Sequence, residues 1–242
     1  MSSVTTKQTT SRTKTQRPRK GNLFTKVPFR IKLDVLFALA LLLLVASATV
    51  EEFAHEWLGI AAFVLFILHQ IQHISWWKVL LRGRYSPVRI LNTFCLICLA
   101  VCFLGLFASS LVLSQHVFAG LPFSHGSAWA RTSHMLFSYW AFILAFFHAG
   151  LSITKRSKTH RTAKEMLSFL VCIGLVILGY LCAVNLNLFD YLTLQSLFVF
   201  ANPGLSLPER ALPYLFVGLG MFCLAVLIRK LLRLAALTNT RT

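Results

Sequence analysis

The chain has 242 residues, 57% of them hydrophobic and 13% charged, with a mean hydropathy of +0.70 and a formal charge of +17. Soluble domains carry about twice that share of charge, so the composition excludes a soluble enzyme and indicates an all-α polytopic membrane protein folded as one helical bundle. A strongly positive balance can also mark nucleic-acid binding, but here the cations sort by position along the chain, and no nucleic-acid partner is expected.

Residues 1–23 are rich in Ser, Thr, Lys and Arg and hold almost nothing that could build a core. They are expected to form a disordered basic cytoplasmic tail. They lack the apolar stretch of a cleavable signal peptide, so the first span is expected to act as an uncleaved insertion signal. Residues 24–242 then form the membrane domain, with spans expected near Leu33–Val50, Glu56–Trp77, Ile90–Leu113, Thr132–Thr154, Met166–Val184 and Ala211–Leu232. Each is close to the roughly 20 residues that cross a hydrocarbon core of about 30 Å. Six transmembrane helices place both termini on one side.

Between the first two spans only a short connection around Val50–Ala54 remains, with Glu51 and Glu52 suited to the polar interface and to the start of the second helix. The connection around Asn185–Arg210 is longer and apolar. Its stretch Leu188–Ala201 is expected to lie in the interface or to fold back over the bundle, ending in a turn at Asn202-Pro203-Gly204.

The cations follow the spans. Of the 24 Lys and Arg residues, 22 fall in the segments that six spans put on one side, and only Arg131 and Arg210 fall on the other. The positive-inside rule makes the crowded side, and with it both termini, cytoplasmic. The basic excess is thus a topology signal and an attraction to anionic lipid headgroups. All six cysteines lie within spans. Cys95, Cys98 and Cys102 trace a helical stripe and read as small packing residues rather than as a disulfide framework or a zinc site. No Cys-x-x-Cys-His occurs, which argues against covalent c-type haem. A nucleotide-binding loop, a dinucleotide glycine fingerprint and a zincin motif are also missing.

Four histidines carry the functional signal. His55 and His69 lie fourteen residues apart in the second span, and His134 and His148 repeat that interval in the fourth. Fourteen helical residues rise about 21 Å and turn to within about 40° of four full turns, so each pair shares a face. Spans two and four run in the same direction, which pairs His55 with His134 near the outer surface and His69 with His148 towards the cytoplasm. Ionisable rings inside a bilayer are costly and mark functional sites. Two facing pairs at two depths match bis-histidine ligation of two non-covalent b-type haems, with His55, His69, His134 and His148 as iron ligands.

His73 competes with His69, because it lies eighteen residues, or five turns, after His55. Only His69 reproduces the interval of the fourth span, so His73 is assigned to the inner interface, beside a ligand or a haem propionate. Arg131, three residues before His134, is a candidate partner for a propionate of the outer haem, with an interfacial anchor as the plain alternative. Glu56, Ser133 and Ser138 are nearby polar groups able to orient ligands, and Gly59 and Gly150 are small enough to let a macrocycle approach. His116, His125 and His160 read as solvated loop histidines.

At these motifs the chain resembles the flavinylation-associated cytochrome family, small bacterial membrane proteins predicted to be dihaem cytochromes b. The resemblance rests on His55-Glu56-Trp57-Leu58-Gly59 running on to His69, on Ser127-Ala128-Trp129-Ala130-Arg131-Thr132-Ser133-His134-Met135, and on Ser138-Tyr139-Trp140 leading to His148-Ala149-Gly150. Phe189-Asp190-Tyr191-Leu192 followed by Phe198-Val199-Phe200 adds a further match, so that roughly residues 30–232 are covered. His73 stands where relatives often carry Asn. The resemblance implies a bacterial inner (cytoplasmic) membrane protein that transfers electrons across the bilayer. It implies the same four haem ligands and a redox partner in an extracytoplasmic flavoprotein pathway, with any flavin on the partner. Quinol or a partner reductase is the expected electron donor, and quinone a candidate ligand. The alternatives are a ferric or quinone reductase with its own substrate site, and a non-haem transporter or scaffold.

Overall fold

The computed structural model describes residues 29–47, 52–80, 82–83, 85–120, 127–153, 163–199 and 204–238. The expected basic tail, Glu51, His125, His160 and the Asn202-Pro203 turn lie outside the described residues. Among the described residues all regular structure is helical: α1 (Phe29–Ser47), α2 (Glu52–Gln72), α3 (Ile74–Val79), α4 (Pro87–Leu113), α5 (Ala128–Ser152), α6 (Ala163–Asn185), α7 (Leu188–Leu192) and α8 (Leu207–Thr238).

Five of these helices, α2, α4, α5, α6 and α8, are long and apolar enough to cross a membrane. The first of the six expected spans corresponds to α1, which has 19 residues but carries Arg30, Lys32 and Asp34 within its first two turns. The bundle turns many large apolar side chains outward, among them Leu104, Met166 and Phe94. Lipid is the solvent such a surface requires.

Helix ends follow local chemistry. Ser86 accepts a bond from the Arg89 amide at 3.3 Å and Pro87 follows it, an N-cap and N1 pair that starts α4. At α8, the Glu209 side chain reaches back to Ser206, the carboxylate half of a capping box. The Ser206 amide donates to Glu209 Oε2 at 2.8 Å and the hydroxyl lies 2.6 Å from the same oxygen. The second span ends sooner than the sequence suggested. Instead of running on to Trp77, α2 stops at Gln72, because His73 leaves helical geometry at φ −101°, ψ 15° and the short α3 restarts beyond it. Arg89 stabilises this break. Its Nη2 donates to the carbonyls of Val79 (2.6 Å) and Arg82 (2.7 Å), while the guanidinium lies 4.3 Å from the Tyr85 ring centre.

The core centres on α5, which packs against α4 and α8, while α6 packs on α8. Phe142, Tyr139, Leu188, Val217 and Tyr191 are among its buried side chains. Glycines allow the closest approaches. A Cβ on Gly150 of α5 would lie 2.3 Å from the Phe222 carbonyl of α8, and one on Gly179 of α6 would lie 3.1 Å from Gly220 Cα of α8. The apolar segment after α6 folds back over the bundle. Asn187 adopts a left-handed φ of 51°, and α7 follows with Leu188 and Tyr191 buried. Trp140 Nε1 donates to the Leu192 carbonyl at 3.2 Å and fixes the end of α7 to α5.

α2 stands apart from this core. Ala62 is its single buried residue. Among the described residues its backbone meets only α1 and α3, and no Cα of α2 comes within 8 Å of α4 or α5.

Candidate cofactor site between α2 and α5

Side chains cross the gap that the backbones leave. Midway, Phe63 of α2 stacks on Phe107 of α4 (ring centres 4.9 Å apart, planes at 15°) and Phe66 stacks on Phe103 (4.4 Å, 22°). Phe37 of α1 closes the layer, 5.8 Å from Phe103 and 6.0 Å from the His69 ring. This aromatic layer divides the gap into two ends, each holding histidines from both α2 and α5.

At one end, His55 faces His134 with ring centres 6.2 Å apart and planes at 65°. The two neutral imidazoles are near enough that they would hold one metal ion between them, each supplying a ring nitrogen. His134 Nδ1 lies 3.3 Å from Ser109 Oγ and 3.4 Å from Ser110 Oγ. The buried Ser109 hydroxyl donates to the Gly105 carbonyl at 2.7 Å, which leaves its oxygen free to accept the His134 Nδ1 proton. The Nε2 lone pair of His134 is thereby free for a ligand. His55 Nδ1 is buried without a hydrogen-bond partner.

At the other end, His69 Nδ1 donates to Asp34 Oδ1 of α1 at 2.8 Å, and His148 Nδ1 donates to Asn92 Oδ1 of α4 at 3.0 Å. Both rings keep Nε2 as the lone-pair nitrogen, and the Ser152 hydroxyl, 3.4 Å away, donates to that of His148. His148 lies within electrostatic reach of His69, His73 and Asp34. His73 lies beside His69, ring centres 4.6 Å apart and planes tilted by 40°, with Nε2 buried and 3.9 Å from Asp34 Oδ1. Ligand atoms of Asp34, His69 and His73 lie within 4.8 Å of one another, a donor set able to hold a metal ion.

Sequence reasoning missed the residues that orient the rings. Asp34, Asn92, Ser109 and Ser110 perform that task, whereas the groups singled out beforehand do other work. Ser133 donates to the Trp129 and Ala130 carbonyls and Ser138 to the Met135 carbonyl, each within its own helix. Glu56 accepts from the Ser114 hydroxyl (2.8 Å) and from the amides of Gln115 (2.7 Å), His116 and Val117 (2.9 Å). It therefore ties α2 to the turn after α4 and acts on His55 through its charge, without a hydrogen bond to His55 Nδ1. Gly150 is occupied by α8 rather than by a macrocycle, while a Cβ on Gly59, one turn beyond His55, would meet nothing within 4 Å. Arg131 is exposed, one turn before His134. The missed acid had a readable signal, because a carboxylate inside an apolar span demands a partner.

Comparison with family models, curated proteins and solved structures finds no match to the chain.

Proposed function

We propose that the chain is a dihaem b-type cytochrome that carries electrons across a bacterial inner membrane. The observation that carries this reading is the α2–α5 gap bridged by His55 and His134 at 6.2 Å, on helices whose backbones stay more than 8 Å apart. Slender side chains spanning separated helices are what a flat macrocycle between two imidazoles requires. In support, His69 and His134 commit Nδ1 to an acceptor and leave Nε2 as the ligating nitrogen, while His148 commits Nδ1 to Asn92 and holds Ser152 Oγ 3.4 Å from its Nε2, a contact that a ligand would replace.

His55 and His134 would hold one haem, and His69 and His148 the other. Haem iron supplies one-electron exchange at each level. The chain's own residues do the rest. Ser109, Ser110, Asn92 and Asp34 orient the ligand rings, the phenylalanine layer separates the levels, and Glu56 sets the position of α2. Arg131 is offered as a propionate partner beside His134, and His73 as a companion of His69.

α1 completes six spans, with both termini cytoplasmic and the 55/134 end facing outward, as the distribution of cations favours. The resemblance to flavinylation-associated cytochromes supports an extracytoplasmic flavoprotein as redox partner and quinol or a reductase as donor. A second reading, favoured by the Asp34–His69–His73 cluster, places a non-haem metal at the 69/148 end.

Reduced-minus-oxidised spectra with haem quantification test the proposal. Two b-type haems per chain are expected, falling to one in His134→Ala and one in His148→Ala. A colourless purified protein overturns the reading.

A further inference from the structure

The two histidine levels differ in the charge of the groups that orient them. At the 55/134 end, His134 meets only the neutral hydroxyls of Ser109 and Ser110. The carboxylate beside His55, Glu56, is engaged by the Ser114 hydroxyl and by backbone amides. At the 69/148 end, His148 meets the neutral amide of Asn92, but His69 gives its Nδ1 proton to the carboxylate of Asp34. Asp34 is held there by its own helix, since Leu33 and Phe37 on either side of it are buried. His73 covers the same carboxylate oxygen from 3.9 Å.

A carboxylate that accepts the far proton of a ligating imidazole raises the ring's basicity and favours the more positive oxidation state of the metal. Hydroxyl and amide acceptors carry no net charge and do this far less. We infer that Asp34 is a positioning residue that fixes His69 as an Nε2 ligand and makes the 69/148 centre the harder of the two to reduce. The inference rests on the dihaem reading and adds to it an asymmetry that equal ligand spacing does not contain.

The experiment is redox potentiometry on the full chain in nanodiscs, followed at the b-type absorbance bands. Wild type is expected to titrate in two resolved steps. Asp34→Asn is expected to retain both haems and to shift the lower step upward by about tenfold in its reduction equilibrium, about 59 mV for one electron. The higher step stays in place, and Asp34→Glu returns the lower one towards wild type. Ser109→Ala, at the other end, leaves the lower step unmoved.

Should Asp34→Asn fail to assemble, His148→Ala decides the matter. The single haem it retains, at the 55/134 end, is expected to titrate with the higher wild-type step. Titration with the lower step overturns the inference, as does an Asp34→Asn protein with both steps unchanged. Loss of a stoichiometric divalent metal from Asp34→Asn, with one haem present throughout, also overturns it and assigns the cluster to a non-haem ion. A wild-type protein without haem sinks the parent proposal instead.

Discussion

The α5–α6–α8 core and α2 solve the same problem in opposite ways. In the core, glycines remove side chains until backbones nearly touch, as at Gly179 and Gly220, and α5 buries eight residues. Among the described residues α2 buries one side chain, and it reaches α4 through phenylalanine rings and the turn after α4 through Glu56. Both helices carry half-buried histidines at the same interval, yet only α5 is itself packed into the core. On the proposed reading α5 is scaffold and ligand carrier together, whereas α2 is a ligand carrier held at a distance. Without driving force from water inside a bilayer, such a separation persists only if something fills it or props it open.

Substitutions can break or sharpen that contrast. The largest effect is expected in the core. Gly150→Leu forces a side chain onto the Phe222 carbonyl and should cost about 3 kcal/mol or more, read as a large fall in thermal midpoint with loss of both haems. Glu56→Ala removes a charged acceptor from several donors at once and should cost about 2 kcal/mol. Its signature is selective weakening of haem at the 55/134 end, and equal loss at both ends would refute the assignment of Glu56 as a local tether. Phe66→Leu gives up an aromatic pair and should cost about 1 kcal/mol, measured by chemical denaturation. Smallest of all, Gly59→Ala should leave stability within about 1 kcal/mol of wild type and shift it upward if at all, since alanine is the better helix former and the site is open. A strong destabilisation there would show that α2 packs as tightly as α5.

Much of this architecture is legible in the chain. Apolar length marks every long helix, and the fourteen-residue interval brings His55 to His134 and His148 to the neighbourhood of His69. The break at His73 is not readable from hydropathy, because Ile74-Ser75-Trp76-Trp77 continues the apolar run while Arg89, ten residues beyond Val79, caps the interrupted segment through space. The ring-orienting residues are missed for a related reason. Sequence proximity points to Glu56, Ser133 and Ser138, but hydroxyls on a helix satisfy themselves on the carbonyl one turn back. A ligand's second nitrogen is reached from other helices, by Asp34 of α1 and by Asn92, Ser109 and Ser110 of α4. Gly59 and Gly150 look alike in the sequence, and only packing separates the open one from the filled one.

The tether at Glu56 also carries a consequence for biogenesis. Its partners lie 58 to 61 residues downstream, so during synthesis α2 has only α1 to pack against until the turn after α4 is made. His55 and His69 are thus made well before the histidines of α5 that face them. A group held between α2 and α5, as proposed, would be captured only once α5 has been made.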